Sequence, residues 1–236
     1  MNLPPEKKPL LLFFVSLEPN GYSRRRIRAR YADYFSSLRR LIQLGIAESN
    51  ELVICENTVG MQQKHEFCKL ASEFPISRSN NLGMMNKGLG ELSMAAKAAR
   101  DFPELFENAE KVIWMSGRHI ACTDGIFEEA KLYSEDVLIS NPDFFFLNGL
   151  IVQTEKVGYV NDMFFSMKKP VFLQYLDFFR DNEHLMNENK LGSEQILHSF
   201  VSQNKLTAKY LSTLGLLRRE YTPILKRIEK SSWHVC

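Results

Sequence analysis

The feature that most constrains the fold is a repeated alternation of apolar runs and helix-like segments in the first half of the chain. Apolar runs at residues 10–17, 51–55 and 111–115 predict buried strands. The segments between them carry apolar residues three and four positions apart, which is typical of amphipathic helices, and Ser23 is the expected N-cap of the first helix. This alternation predicts a parallel sheet with right-handed crossovers.

The second half of the chain is richer in short strand candidates. These lie at residues 137–140, 144–147, 150–154 and 163–168. Two helices are expected after them, one opened by Pro170 and one capped by Ser193. We therefore predict a single Rossmann-like α/β domain over residues 1–236, with a mixed, mainly parallel central sheet flanked by helices.

Composition narrows the class of protein further. The chain has 236 residues, of which 44% are hydrophobic and 25% charged, so it is not disordered as a whole. A net charge of +2 gives no reason to expect nucleic-acid binding. The four cysteines form no C-x-x-C pair, which argues against structural zinc and favours the reducing cytoplasm. We expect neither a signal peptide nor a membrane span, because the apolar runs are short.

Polar residues follow each of the three predicted strands. Parallel α/β sheets bind ligands beyond the carboxyl ends of their strands, so these residues are candidates for a binding site. Arginine binds phosphates through two parallel hydrogen bonds, and glycine lets a ligand approach the backbone. The alternatives are an arginine in a structural ion pair and a histidine buried in the core. The candidates are Ser16, Glu56, Asn57, Ser116, Gly117, Arg118 and His119.

A second candidate is the helix start Asn86-Lys87-Gly88-Leu89-Gly90-Glu91. A lysine in the first turn opposes the helix dipole, and glycines weaken a helix. Backbone N–H groups and the Lys87 ammonium together could hold a phosphate. The alternative is that the glycines serve turn geometry and packing, since the chain has no P-loop and no G-x-G-x-x-G.

Charged residues elsewhere allow two interpretations each. Asp162 precedes a predicted strand and Glu194 opens a predicted helix, so either is a candidate general base or an ordinary helix-terminal acid. The arginine cluster at residues 24–30 is interpreted as a solvated basic face. The alternative is attraction to a polyanionic acceptor or a membrane surface.

The order of these motifs resembles that of GT-A type glycosyltransferases. The resemblance spans residues 10–202. It lies in the first strand and helix, the strand ending in Glu56-Asn57, the N-K-G-x-G-E helix start and the W-M-S-G-R-H strand end. It continues in the D-M-F-F-S-M-K-K segment at residues 162–169, which is similar to the acceptor-side strand, and in the later S-E-Q-I-L helix. It implies a nucleotide-sugar donor and a glycan or lipid-linked glycan acceptor. Residues 10–119 would bind the donor and residues 120–205 the acceptor, with a basic C-terminal tail at residues 206–236.

The resemblance also implies a cytoplasmic protein in peripheral contact with the inner face of a membrane. The implied donor-binding residues are Ser16, Glu56, Asn57, Asn86, Lys87, Ser116, Gly117, Arg118 and His119.

One departure from that family concerns the metal. Metal-dependent members place a D-x-D motif where this chain has Ser116-Gly117-Arg118, so bound Mn²⁺ or Mg²⁺ is doubtful. Arg118, helped by Lys87, is expected to neutralise the departing diphosphate instead. The expected catalytic residues are Arg118 together with Glu194 or Asp162 as base, with Glu194 ahead. Two alternatives remain, a nucleotidyltransferase and a catalytically silent nucleotide- or glycan-binding protein.

Overall fold

A computed structural model describes residues 7–19, 21–58, 65–79, 87–139, 144–147, 150–153, 163–189, 191–211, 215–220 and 232–235. The strands are β1 (Leu10–Val15), β2 (Glu51–Glu56), β3 (Ile76–Arg78), β4 (Lys111–Ser116), β5 (His119–Ala121), β6 (Val137–Ile139), β7 (Phe144–Leu147), β8 (Leu150–Gln153), β9 (Phe164–Lys168), β10 (Ala208–Tyr210), β11 (Leu216–Glu220) and β12 (Ser232–Val235). The helices are α1 (Arg24–Gln43), α2 (Ile46–Ser49), α3 (Glu66–Ala71), α4 (Lys87–Asp101), α5 (Pro103–Asn108), α6 (Gly125–Leu132), α7 (Lys169–Asn189) and α8 (Ser193–Gln203).

The central sheet is mixed and mainly parallel. In the described part of the chain it has seven strands in the order β10-β6-β9-β4-β1-β2-β3. Strand β1 pairs in parallel with β2 on one side and with β4 on the other. Strand β9 alone of these runs antiparallel, between β4 and β6. The predicted fold class is confirmed.

Hydrophobic cores lie on both faces of this sheet. Alternate residues of β1 point to opposite faces, as in any strand. Leu10, Leu12 and Phe14 join the core beneath α4, α5, α7 and α8. Leu11, Phe13 and Val15 join the core beneath α1, α2, α3 and α6. Both faces are covered, so β1 reads as a continuous apolar run rather than an alternating one.

The segment predicted as a basic tail contributes three strands within its described residues. Strand β10 extends the central sheet beside β6, while β11 and β12 form an antiparallel sheet with β5. The register pairs Arg218 with His119 and Leu216 with Ala121. The carboxyl-terminal segment is thereby joined to the chain just after β4.

Of the two predicted N-caps, Ser23 is confirmed and Ser193 is wrong. Ser23 caps α1 as predicted, because its side chain accepts from the N–H of Arg26 at 3.4 Å. Ser193 does not cap α8. The N-cap is Gly192, whose N–H donates to Oε1 of Gln195 at 2.7 Å. Ser193 is instead buried against α4.

Among the residues that the structure describes, we find no helix with the length and apolar character needed to cross a bilayer.

Candidate functional site

The carboxyl ends of β2, β1 and β4 lie side by side. The register places Val15 opposite Glu56 and Phe14 opposite Ser116. The polar residues that follow these strands therefore meet at one edge of the sheet, as the sequence predicts. We call Ser16, Glu56, Asn57 and residues 116–119 the strand-end group.

Direct hydrogen bonds join the ends of β1 and β2. The Ser16 hydroxyl donates to Oδ1 of Asn57 at 2.6 Å. The backbone N–H of Glu18 donates to Oγ1 of Thr58 at 2.9 Å. The carboxylate of Glu56 accepts the Thr58 N–H at 2.8 Å and the Thr58 hydroxyl. Glu56, Asn57 and Thr58 are buried, so the two strand ends form one unit.

Helix α1 supports this unit with side chains that the sequence analysis missed. The N–H of Ser16 donates to the Tyr34 hydroxyl at 3.0 Å, and Nε of Arg30 donates to the Ser16 carbonyl at 2.9 Å. Arg30 is therefore not part of a wholly solvated face, unlike exposed Arg24 and Arg28. The signal was its spacing, since Arg30 and Tyr34 are four residues apart and share a helix face.

Tyr31 and His65 flank the same edge. The Tyr31 hydroxyl donates to Oε1 of Glu18 at 2.9 Å, and its ring centroid lies 4.0 Å from that of His65. Burial and the hydrogen bond to Glu18 raise the pKa of Tyr31. Burial lowers the pKa of His65, against an opposing effect of Glu66. A neutral imidazole fits its structural role, because Nδ1 accepts the N–H of Phe67 at 3.2 Å and so caps α3.

The turn after β4 is tightly constrained. The N–H of Gly117 donates to the Phe14 carbonyl at 2.8 Å, and the N–H of Ser116 donates to the Met163 carbonyl at 2.9 Å. A Cβ at Gly117 would lie 2.7 Å from the Phe14 oxygen, so only glycine fits without a shift. Arg118 follows in the turn and is partly buried. The two residues before Arg118 are thus held by backbone hydrogen bonds, one to β1 and one to Met163.

His119 lies in the fold rather than on an open surface. It is 3% exposed, and its Nδ1 lies 3.3 Å from the Ser116 carbonyl. Its own carbonyl accepts the Ser37 hydroxyl at 2.5 Å. Farther along β5, Arg40 donates to the carbonyls of Ala121 at 3.2 Å and Cys122 at 2.8 Å. Side chains of α1 therefore bind the backbone of β5 and of the residue after it.

The helix starts of α4 and α8 meet closely. A Cβ on Gly88 would lie 2.4 Å from the Ser193 backbone nitrogen. Gly88 therefore allows the two helix starts to pack closely, which is the alternative to a phosphate-binding role. Nζ of Lys87 lies 3.2 Å from Oε1 of Glu91 while 70% of its side chain remains exposed. Glu194 is half-buried, with its carboxylate next to Gly192. Lys87 and Glu194 thus belong to adjoining helix starts.

Two predicted site residues, Asn86 and Asp162, lie outside the described residues. The described residues contain no group of three or more His, Cys, Asp or Glu side chains placed to hold a metal ion.

Several solved structures share this architecture. A protein assigned as a nucleotide-diphospho-sugar transferase from Desulfovibrio desulfuricans G20 matches with a TM-score of 0.54 and 14% identity, covering 87% of this chain and 80% of that one. The galactosyltransferase LgtC, solved with donor and acceptor sugar analogues, matches with a TM-score of 0.51 and 9% identity, covering 85% and 72%. The fold is of the GT-A type.

The GT-A fold is also shared by enzymes that transfer nucleotides. An inositol-1-phosphate CTP transferase from T. maritima matches with a TM-score of 0.50 and 10% identity, covering 87% of this chain and 86% of that one. No protein-family model matches the sequence, and no curated protein matches it. At these identities the likeness establishes the GT-A fold alone, and function must be argued from the site.

Proposed function

We propose that this protein is a glycosyltransferase that moves a sugar from a nucleotide-sugar donor to a glycan or lipid-linked glycan acceptor. The observation that carries the proposal is the strand-end group. Buried polar side chains link the ends of β1 and β2 beside a turn that requires glycine and contains partly buried Arg118. A rigid, polar edge with an adjacent guanidinium suits a ligand that combines a nucleoside with a diphosphate.

The donor is assigned to the strand ends. Ser16, Glu56 and Asn57 would line the nucleoside side, and Ser116, Gly117 and Arg118 the diphosphate and sugar side. His119, which is buried, would support the turn from beneath. Asn86 and Lys87 would approach from the start of α4. Among these, the fixed backbone around Gly117 supports a diphosphate assignment for Arg118, because an anchored turn holds a cation in place before the ligand arrives.

Arg118 and Lys87 are the proposed cations for the leaving diphosphate. Arginine stays charged at any working pH, so no metal is required to neutralise the phosphates. The Lys87 ammonium is 3.2 Å from Glu91 on a largely exposed side chain. The Glu91 side chain is only 9% exposed, so we propose that Lys87 keeps this contact and turns its remaining N–H donors to the diphosphate.

The transfer itself would proceed by displacement at the anomeric carbon. The acceptor hydroxyl oxygen forms the new bond, and the bond between that carbon and the diphosphate oxygen breaks with its electron pair. In an inverting reaction the hydroxyl proton goes to a carboxylate, for which we propose Glu194 ahead of Asp162. A retaining reaction needs no such single base.

A thermal-shift screen tests this proposal directly. The protein is mixed with UDP, GDP, CMP, dTDP and their sugars, with and without Mn²⁺. A ligand at about 100 times its dissociation constant stabilises the folded state by about 2.7 kcal/mol. We expect one diphosphate and its sugar to raise the melting temperature without metal. Arg118→Ala should abolish that shift and turnover, while the free protein still unfolds in one cooperative transition.

Arg180→Ala is the matched control for Arg118→Ala. Arg180 is exposed on α7, where it pairs with Asp177 at 3.0 Å. Its loss should change neither the shift nor turnover. Normal activity of Arg118→Ala would overturn the leaving-group assignment. No shift with any nucleotide would favour a silent binding protein.

Nucleotidyl transfer is the second candidate function. The same fold occurs in an inositol-1-phosphate CTP transferase. The two functions differ in product. A glycosyltransferase releases a nucleoside diphosphate from a nucleotide sugar, whereas a nucleotidyltransferase releases pyrophosphate from a nucleoside triphosphate. Pyrophosphate release from CTP or another triphosphate, with no hydrolysis of nucleotide sugars, would select the second function.

A further inference from the structure

Positive charge is concentrated at the start of α1. Residues 21–32 contain five arginines, at positions 24, 25, 26, 28 and 30, and no acidic residue. The whole chain has 30 basic and 28 acidic residues, so outside this segment 25 basic residues face 28 acidic ones. The remainder of the protein is therefore net negative. We call residues 21–28 the arginine patch.

This charge is unfavourable for the helix that carries it. Arg24, Arg25 and Arg26 occupy the first turn, where the helix dipole favours anions, and no acid is present there. Arg24 and Arg28 are four residues apart and repel each other on one helix face. Residues that lower local stability at exposed positions point to binding, because folding alone would not select them.

Aromatic stacking ties the patch to the rigid part of the protein. The Arg26 and Arg30 guanidinium carbons lie 5.8 Å and 5.0 Å from the Tyr22 ring centroid. Arg30 in turn donates to the Ser16 carbonyl at 2.9 Å. Tyr22 itself remains 40% exposed. The patch is thus an ordered surface that begins next to the strand-end group.

The exposure of the arginine patch indicates what kind of partner it can bind. Residues 21–26 are six consecutive exposed residues at a helix start, so the segment is convex. A convex segment cannot surround a small anion, but it can lie against a flat, negatively charged surface. Exposed tyrosine is favoured at the level of lipid headgroups, where its ring is half in apolar and half in polar surroundings.

We propose that the arginine patch docks the protein onto an anionic phospholipid bilayer. Each arginine held near such a surface adds about 1 kcal/mol, which is about five-fold in partitioning. Arg30 links the patch to Ser16, so docking would bring the strand-end edge close to the headgroups. The inference concerns a binding surface and holds whether or not the transferase proposal is correct.

Vesicle co-sedimentation tests the proposal with the full chain. Wild-type protein should bind vesicles of phosphatidylglycerol and phosphatidylcholine at low ionic strength. It should dissociate at about 1 M salt, where the screening length falls to about 3 Å. Arg24→Gln/Arg28→Gln should weaken binding about 25-fold, which is the product of two five-fold losses.

Arg39→Gln/Arg100→Gln is the matched control, with the same change in net charge. Both residues are exposed, and Arg39 lies on the same helix about 22 Å from Arg24. The control should bind vesicles as the wild type does. Nucleotide-induced thermal shifts should be the same in both double variants, which separates this test from that of the proposed function.

Three results would overturn the docking proposal. One is equal binding to pure phosphatidylcholine vesicles. Another is equal weakening by the control variant. The third is binding to soluble polyphosphate without binding to anionic vesicles, which would assign the patch to a soluble polyanion.

Discussion

The Ser16 hydroxyl and the Asn57 side-chain oxygen lie 2.6 Å apart and join the ends of two parallel strands by a direct hydrogen bond. Strand pairing ends one residue earlier, at Val15 and Glu56. This side-chain bond therefore extends the contact beyond the last paired residues. It fixes the spacing of the two loops at the position where a nucleoside would bind.

A double-mutant cycle measures that bond. Ser16→Ala and Asn57→Ala should each lower the free energy of unfolding by about 1 kcal/mol. Their combination should cost about 1 kcal/mol less than the sum, because either change alone already breaks the contact. Urea unfolding of the four proteins gives these values. Ser202, exposed on α8, supplies the control pair, and Ser16→Ala/Ser202→Ala should be additive. Additivity of the Ser16 and Asn57 changes would contradict the bond.

Glycine substitutions test the close approach of α4 and α8. The Cβ of Gly88→Ala would lie 2.4 Å from the Ser193 nitrogen, so the helices must separate at a cost of about 1–3 kcal/mol. Gly125→Ala is the matched control, since its nearest neighbour is the Thr123 hydroxyl at 3.5 Å. It should be neutral or up to about 1 kcal/mol stabilising, because alanine favours helices. Equal melting temperatures for both variants would show that the contact is not tight.

Glu194→Gln tests the proposed base. The amide keeps the shape but cannot take a proton, so kcat should fall by about 10²–10⁴-fold while the nucleotide-induced thermal shift stays. Asp162→Asn should have the smaller effect. Glu183→Gln, on the exposed face of α7, is the control and should be fully active. Full activity of both Glu194→Gln and Asp162→Asn would refute the base assignment.

Asp136 should make stability depend on acid pH. The Thr207 hydroxyl and N–H donate to its carboxylate at 2.7 Å and 3.0 Å, and these bonds with Lys168 lower the pKa of Asp136. A lowered folded-state pKa adds stability above the unfolded value of about 3.9, and this is lost as pH falls through the folded value.

The Asp136→Asn variant isolates that contribution. At neutral pH it should unfold about 1 kcal/mol more easily, since hydrogen bonds to a partly exposed charge are weakened by solvent. The difference from the wild type should shrink as the pH falls below about 4. Urea midpoints across this range give the measurement. A difference that does not vary with pH would mean that the carboxylate charge contributes nothing.

The sequence predicts the strands that are buried on both faces. Leu10–Val15 and Lys111–Ser116 are recognisable because burial on two sides demands an unbroken apolar run. Ile76–Arg78, His119–Ala121 and Ala208–Tyr210 were missed. Each has three residues, which is too short to show a period, and each is defined by its partner strand rather than by its own composition.

Part of the candidate site was predictable because the strands that carry it are recognisable in the sequence. Strand ends follow from strands, so the adjacency of Ser16, Asn57 and Gly117 could be anticipated. The role of Ser193 could not, because a serine before an apolar helix has the same local pattern whether it caps that helix or packs against another. Its burial depends on Gly88, about a hundred residues earlier, and no local pattern encodes that contact.

The place of β9 in the sheet has a consequence for biosynthesis. Strands β1 to β4 can pair once residue 116 has left the ribosome, but β6 is attached to them only through β9. At about 5–20 residues per second, the ribosome needs a few seconds to proceed from β6 to β9. During that interval the growing chain exposes an unpaired edge of β4 and the apolar strand Val137–Ile139. A nascent chain stalled between these strands should therefore be the form that most readily aggregates or recruits a chaperone.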